Sequence, residues 1–173
     1  MIQERPSLQI SLAIACAVLA IGAAGSAVAQ NRLAPRAAAT APQDAGAAAM
    51  AALMSGDFTT AARLLRPLAE QGNVGAQSNL GLLYYDGQGV KQDRAEAARW
   101  FKLAAAKGDV GSQYNLGVMS QDGQGVPQSY AEAARWYGLA AAQGHVGAQF
   151  NLGLMTFNGQ GVKKDHAEAL RLY

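Results

Sequence analysis

The stretch Asn79-Leu80-Gly81-Leu82-Leu83-Tyr84-Tyr85-Asp86-Gly87-Gln88-Gly89-Val90 decides the fold, because it returns twice at a constant step. Asn-Leu-Gly recurs at 115–117 and 151–153, Gly-Gln-Gly-Val at 123–126 and 159–162, and Ala95-Glu96-Ala97 at 131 and 167. Each step is 36 residues, and 23 of the 36 positions in 73–108 are identical in 109–144. Self-similarity at such a period is the mark of stacked supersecondary units.

Each unit reads as two helices. The first spans roughly Gly75 to Tyr85, with Ala76, Leu80, Leu83 and Tyr84 along one stripe. It stops at Asp86-Gly87-Gln88-Gly89, where glycine accepts the left-handed backbone that ends a helix. The second opens at Asp93, or at Ser129 and Asp165 in later units, side chains that accept hydrogen bonds from unpaired amides. Glu96 and Glu132 stand at capping-box spacing. This helix turns Ala97, Trp100, Phe101 and Ala104 inward and ends near Lys107-Gly108. Glycine inside a helix costs about 1 kcal/mol against alanine. Its recurrence at Gly81, Gly117 and Gly153 therefore predicts a neighbouring helix pressed against that spot.

Composition agrees with this reading. Half of the 173 residues are hydrophobic but only 7% aromatic, so alanine and glycine carry much of the apolar content. Fourteen basic against 12 acidic side chains give +2, too balanced for an electrostatic nucleic-acid binder. A single cysteine makes neither an intrachain disulfide nor a zinc cluster.

Residues 1–29 read as a signal peptide: Arg5 in a short polar start, an apolar run from Ile10 to Ala24, and the small-x-small Ala27-Val28-Ala29. Cleavage there gives a periplasmic or secreted protein that begins at Gln30, has no membrane span and contains no cysteine. The competing reading, an uncleaved anchor, is weakened by the small residues of Ile21-Gly22-Ala23-Ala24-Gly25-Ser26. Residues 30–46 are Ala/Pro/Gln-rich and read as a flexible linker. Residues 47–72 read as opening helices, 73–108 and 109–144 as complete repeats, and 145–173 as an incomplete third.

These motifs resemble the Sel-one-like repeat (SLR) family, relatives of the tetratricopeptide repeats. The Leu-Gly pair, the Gly-x-Gly-Val loop, the Ala-x-Ala-x-x-Trp helix and the closing Ala-Ala-x-x-Gly all match over about 73–173. The resemblance implies an all-α, right-handed superhelix of antiparallel helix pairs that acts as a protein-binding scaffold, often outside the bacterial cytoplasm. A minority of the family has been linked to cell-wall or β-lactam substrates; that branch carries a cysteine pair in each unit, which this chain lacks. Tyr173 stands where Tyr137 stands in the preceding unit, in mid-helix, and no polar capping helix follows it. Such an end reads either as a fragment of a longer array or as a surface covered by another chain, for instance by end-to-end self-association.

No enzymatic constellation emerges. The Gly-x-Gly loops follow helices and lack the Lys-Ser/Thr of a phosphate cradle. His145 and His166 have no second ligand at metal spacing. Asp93, Glu96, Glu132, Asp165 and Glu168 read as caps and solvent-facing charges, and Ser78 and Ser112 lack a nucleophile elbow. Neither a cofactor nor a metal is expected. By the tetratricopeptide analogy, the concave face is lined at i, i+4 and i+7 of each first helix. These positions are Ser78, Leu82 and Tyr85, then Tyr114, Val118 and Gln121, then Phe150, Leu154 and Phe157. They vary between copies and are largely apolar, so they are either a docking surface for a protein or peptide or packing against the adjacent repeat.

Overall fold

The computed structural model describes residues 42–172. Among these there are eight helices and no strand: α1 Pro42–Ser55, α2 Phe58–Glu70, α3 Val74–Asp86, α4 Arg94–Ala105, α5 Val110–Asp122, α6 Tyr130–Ala142, α7 Val146–Asn158 and α8 His166–Leu172. Each helix packs on the ones before and after it in the chain, and α5 also touches α7. Contacts that reach only neighbouring units make an α-solenoid rather than a closed bundle. The leader and most of the expected linker lie outside the described residues. Helix α1 starts at Pro42, so residues 42–46, read above as linker, are already helical. Proline is well tolerated in a first helical turn, and the alanine-rich run behind it has the highest helix propensity. No described helix is long and apolar enough to cross a membrane.

The helix ends follow the expected chemistry. Asp93 and Ser129 cap α4 and α6 by accepting from the amides of Glu96 and Glu132 at 2.9 and 3.2 Å. The reciprocal half of the capping box is absent. The amides of Asp93, Ser129 and Asp165 donate instead to the carbonyls of Tyr84, Ser120 and Thr156. This leaves Glu96, Glu132 and Glu168 to pair with Arg99, Arg135 and Arg171 one turn on. First helices are tied back by glutamine: Gln77, Gln113 and Gln149 donate to the carbonyls of Ala69, Ala105 and Ala141.

Mid-helix glycine has the predicted cause. A Cβ on Gly81 would lie 2.7 Å from the Phe101 ring, and one on Gly117 would lie 2.5 Å from the Tyr137 ring. Phe101 and Tyr137 are both fully buried. The turn glycines are constrained harder. Gly89, Gly125 and Gly161 have φ near +70°, and a Cβ on them would meet the carbonyl carbons of Phe58, Arg94 and Tyr130 at 2.2, 2.3 and 2.2 Å. Each turn therefore sits directly on the opening backbone of the second helix one unit earlier.

Gly108 also has positive φ but opens onto empty space. Gly108→Ala is expected to cost about 1 kcal/mol, the strain of a left-handed alanine alone. Gly125→Ala adds a clash with backbone and is expected to cost about 3 kcal/mol or more. Urea unfolding of the two variants measures the difference; equal losses would mean that the turn does not bear on the neighbouring unit.

Candidate interaction surface

The nine stripe positions fall into two environments. In α3, the Ser78 hydroxyl donates to Asp109 at 3.1 Å and accepts from Ser112 at 3.2 Å. Leu82 is half-buried against the cluster that contains Phe101 and Leu116. The half-buried Tyr85 donates its hydroxyl to Gln124, and Arg94 lies over its ring at 5.6 Å. Burial pushes its hydroxyl pKa up, partly offset by Arg94. Asp109, Ser112, Leu116 and Gln124 all belong to the next unit, so this part of the stripe is largely an inter-repeat seam.

In α5 the same phase behaves likewise. Tyr114 stacks on His145 at 4.4 Å and lies 5.8 Å from the tilted ring of Tyr137. Residues 114 and 145 stand one period beyond 78 and 109, so the aromatic stack replaces the Ser78–Asp109 hydrogen bond. Gln121 accepts from the Tyr137 hydroxyl at 3.1 Å. Val118 is only 3% exposed, in the core with Tyr137, Ala148 and Met155. The expectation that Val118 lines an open surface is therefore corrected: Tyr137 of α6 and Ala148 and Met155 of α7 cover it.

In α7 the stripe is open. Phe150, Leu154 and Phe157 are 54%, 43% and 47% exposed, and Phe157 meets the His166 ring edge-on at 4.5 Å. Val146, four residues before Phe150, extends the stripe and is 76% exposed. The sequence reading missed it, although Val74 and Val110 mark the same phase. The first helices are poor in charge: α7 has no ionisable residue, and α3 and α5 have one charged residue each, Asp86 and Asp122, at their last positions. By contrast, the second helices carry Arg63, Arg66, Arg94, Arg99, Lys102, Arg135 and Arg171 against Glu70, Glu96, Glu132 and Glu168.

The remaining candidates have local roles. His145 caps α7, its Nδ1 accepting from the Ala148 amide at 3.1 Å. Asp93 and Asp165 cap second helices, and the glutamates are in ion pairs, one per unit. Among the described residues no group of three His, Cys, Asp or Glu side chains is placed to hold a metal.

A solenoid of stacked two-helix units belongs to the class of helical-repeat scaffolds. The Sel1 repeat model matches residues 74–109, 110–145 and 146–173. The chain belongs to the Sel1 repeat family, whose members generally act as protein-interaction scaffolds. Two solved structures are similar. One is c5321, a protective antigen of uropathogenic Escherichia coli strains with an SLR fold, at 40% identity and TM-score 0.69 over 76% of this chain and 31% of that one. The other is a Sel1 repeat protein from Oxalobacter formigenes, at 32% identity and TM-score 0.70 over 75% and 52%. The chain thus spans about a third and a half of their lengths. No curated protein matches it.

Tyr137 is a buried polar side chain of this seam. Burial, and then Tyr114, push its hydroxyl pKa well above its ordinary value, while the Asn151 side chain pulls the other way. A raised folded-state pKa stabilises the protein fully below the unfolded value near 10, and that contribution is lost as pH rises above it. Tyr137→Phe should cost about 1 kcal/mol at neutral pH, for the lost hydrogen bond, and should flatten the alkaline decline in stability. Unfolding midpoints between pH 8 and 12 check this; an unchanged alkaline limb would show that Tyr137 ionises normally.

Proposed function

We propose that this chain is an exported, non-enzymatic scaffold that holds an apolar, helical segment of another protein on the α7 stripe. One observation carries the reading: Leu154 and Phe157 are exposed on α7, a helix with no ionisable residue, and Leu154 stands at the phase of Val118. What docks at that phase inside the molecule is a helix presenting small and apolar side chains, such as Ala148 and Met155 against Val118. The same surface suits a partner helix of that character, since groove recognition reads apolar anchors at helical spacing. Export is supported by the charge and apolar pattern of residues 1–29.

Leu154→Glu combined with Phe157→Glu places charge on the stripe without touching the core. Crosslinking in the extracytoplasmic fraction is expected to recover a partner with wild type and to lose it with the double variant. Equal recovery would refute the docking surface. If sedimentation shows wild-type dimers that the double variant abolishes, the occupant is a second copy instead. Mass determination of the exported protein is expected to find Gln30 at its start.

A further inference from the structure

The turn-on-helix seam creates three equivalent grooves, each between a second helix and the Gly-Val turn of the next unit. The first lies between α2 and Gly89-Val90, has a volume of about 330 Å³, and is lined by Thr59, Ala62, Arg63 and Arg66. The 36-residue step places Ala95, Ala98, Arg99 and Lys102 beside Gly125-Val126, and Ala131, Ala134, Arg135 and Gly138 beside Gly161-Val162. The three grooves share a scaffold and differ in their electrostatics, so each serves as a control for the others.

In the second groove, Arg99 is held by Glu96 through two hydrogen bonds at 2.9 and 3.0 Å, and it stacks over Trp100 at 4.6 Å. In the third, Arg135 reaches Glu132 at 3.3 Å and stacks over Trp136 at 4.3 Å. Both guanidinium groups are occupied by their own helix. In the first groove the corresponding positions are Thr60 and Leu64, so Arg63 has neither a glutamate one turn back nor a ring beside it. Asp57 is the acid in its field, and that carboxylate is engaged as the α2 cap, accepting from the Thr60 amide at 3.0 Å and from the Thr60 hydroxyl. Arg66 lies over Tyr84 at 5.7 Å and donates to its hydroxyl, and among the described residues neither Arg63 nor Arg66 is in an ion pair. Glu70, one turn further on, acts electrostatically on Arg99.

Thr59, Ala62, Arg63 and Arg66 lie on one face of α2 at i, i+3, i+4 and i+7. Two forked donors one turn apart, a hydroxyl, and an apolar floor of Ala62 and Val90 match closely spaced carboxylates, because guanidinium binds carboxylate in bidentate fashion. From this we propose that the α2 groove binds an acidic peptide segment, with neighbouring Asp or Glu side chains paired to Arg63 and Arg66. The site is separate from the α7 stripe and does not depend on it. Two arginines one turn apart, with a single lysine, Lys102, at the matching place in the second groove, favour a short acidic segment over a long polyanion that would need a continuous basic track.

The internal copies supply the test. Thr60→Glu rebuilds in α2 the Glu–Arg pair already present in α4, at a helix position where Glu96 and Glu132 are accommodated. With the mature chain and a fluorescein-labelled hexaglutamate peptide at low salt, wild type is expected to bind at one site, with affinity falling as salt rises. Thr60→Glu, and separately Arg63→Gln with Arg66→Gln, should each weaken binding at least tenfold while keeping the wild-type thermal midpoint within a few degrees. Glu96→Thr, which releases Arg99, should raise the stoichiometry towards two. Leu154→Glu with Phe157→Glu should bind as wild type does. Absence of wild-type binding, or binding equal in Thr60→Glu, would overturn the proposal. Tighter binding of inorganic polyphosphate than of hexaglutamate would overturn the assignment to an acidic peptide.

Discussion

The second glycine of each turn rests on the first carbonyl of the second helix one unit earlier, and the stacking of the units depends on that seat. Gly89 on Phe58, Gly125 on Arg94 and Gly161 on Tyr130 repeat the same approach, closer than any side chain allows. Backbone pressed on backbone fixes the offset between units. With the offset set, Phe101 and Tyr137 reach the mid-helix glycines of their own units. First helices then come close enough for Ser78 to bond Asp109 and for Tyr114 to stack on His145. The seam tolerates a polar pair or an aromatic pair at the same phase, provided both sides change together.

Most of this architecture was legible in the sequence, for identifiable reasons. Caps, glycine stops and the pressure on Gly81 are local or nearly local, and three internal copies state them repeatedly. The fate of the stripe was harder to read, since a first helix is covered from more than one side. Its own second helix, the preceding unit and the following unit all contact it, so few positions remain for solvent. Val118 reads like a groove residue and is core, because Ala148 and Met155 close over it. The capping-box spacing at Glu96 likewise described two arrangements, a return bond to the cap amide or an ion pair with Arg99. The Tyr84 carbonyl decides between them by taking the Asp93 amide.

Charge is divided between the two layers of the solenoid, and this division bears most directly on function. The uncharged α7 suits apolar contact, while the second helices carry arginine at the same phase in every unit. Where a glutamate sits one turn earlier, that arginine is satisfied internally. Where it does not, as at Arg63, the scaffold keeps an unspent charge. Small sequence differences between copies thus give one framework chemically distinct grooves, and a repeat protein can acquire specificity in this way without altering its fold.

If units touch only their neighbours, stability must vary along the chain. Native-state hydrogen exchange resolved by helix measures this directly. Protection is expected to vary from helix to helix along α1–α8, each helix matching its neighbours in the chain most closely. Uniform protection across all eight helices, as in a single closed bundle, would contradict the stacked arrangement.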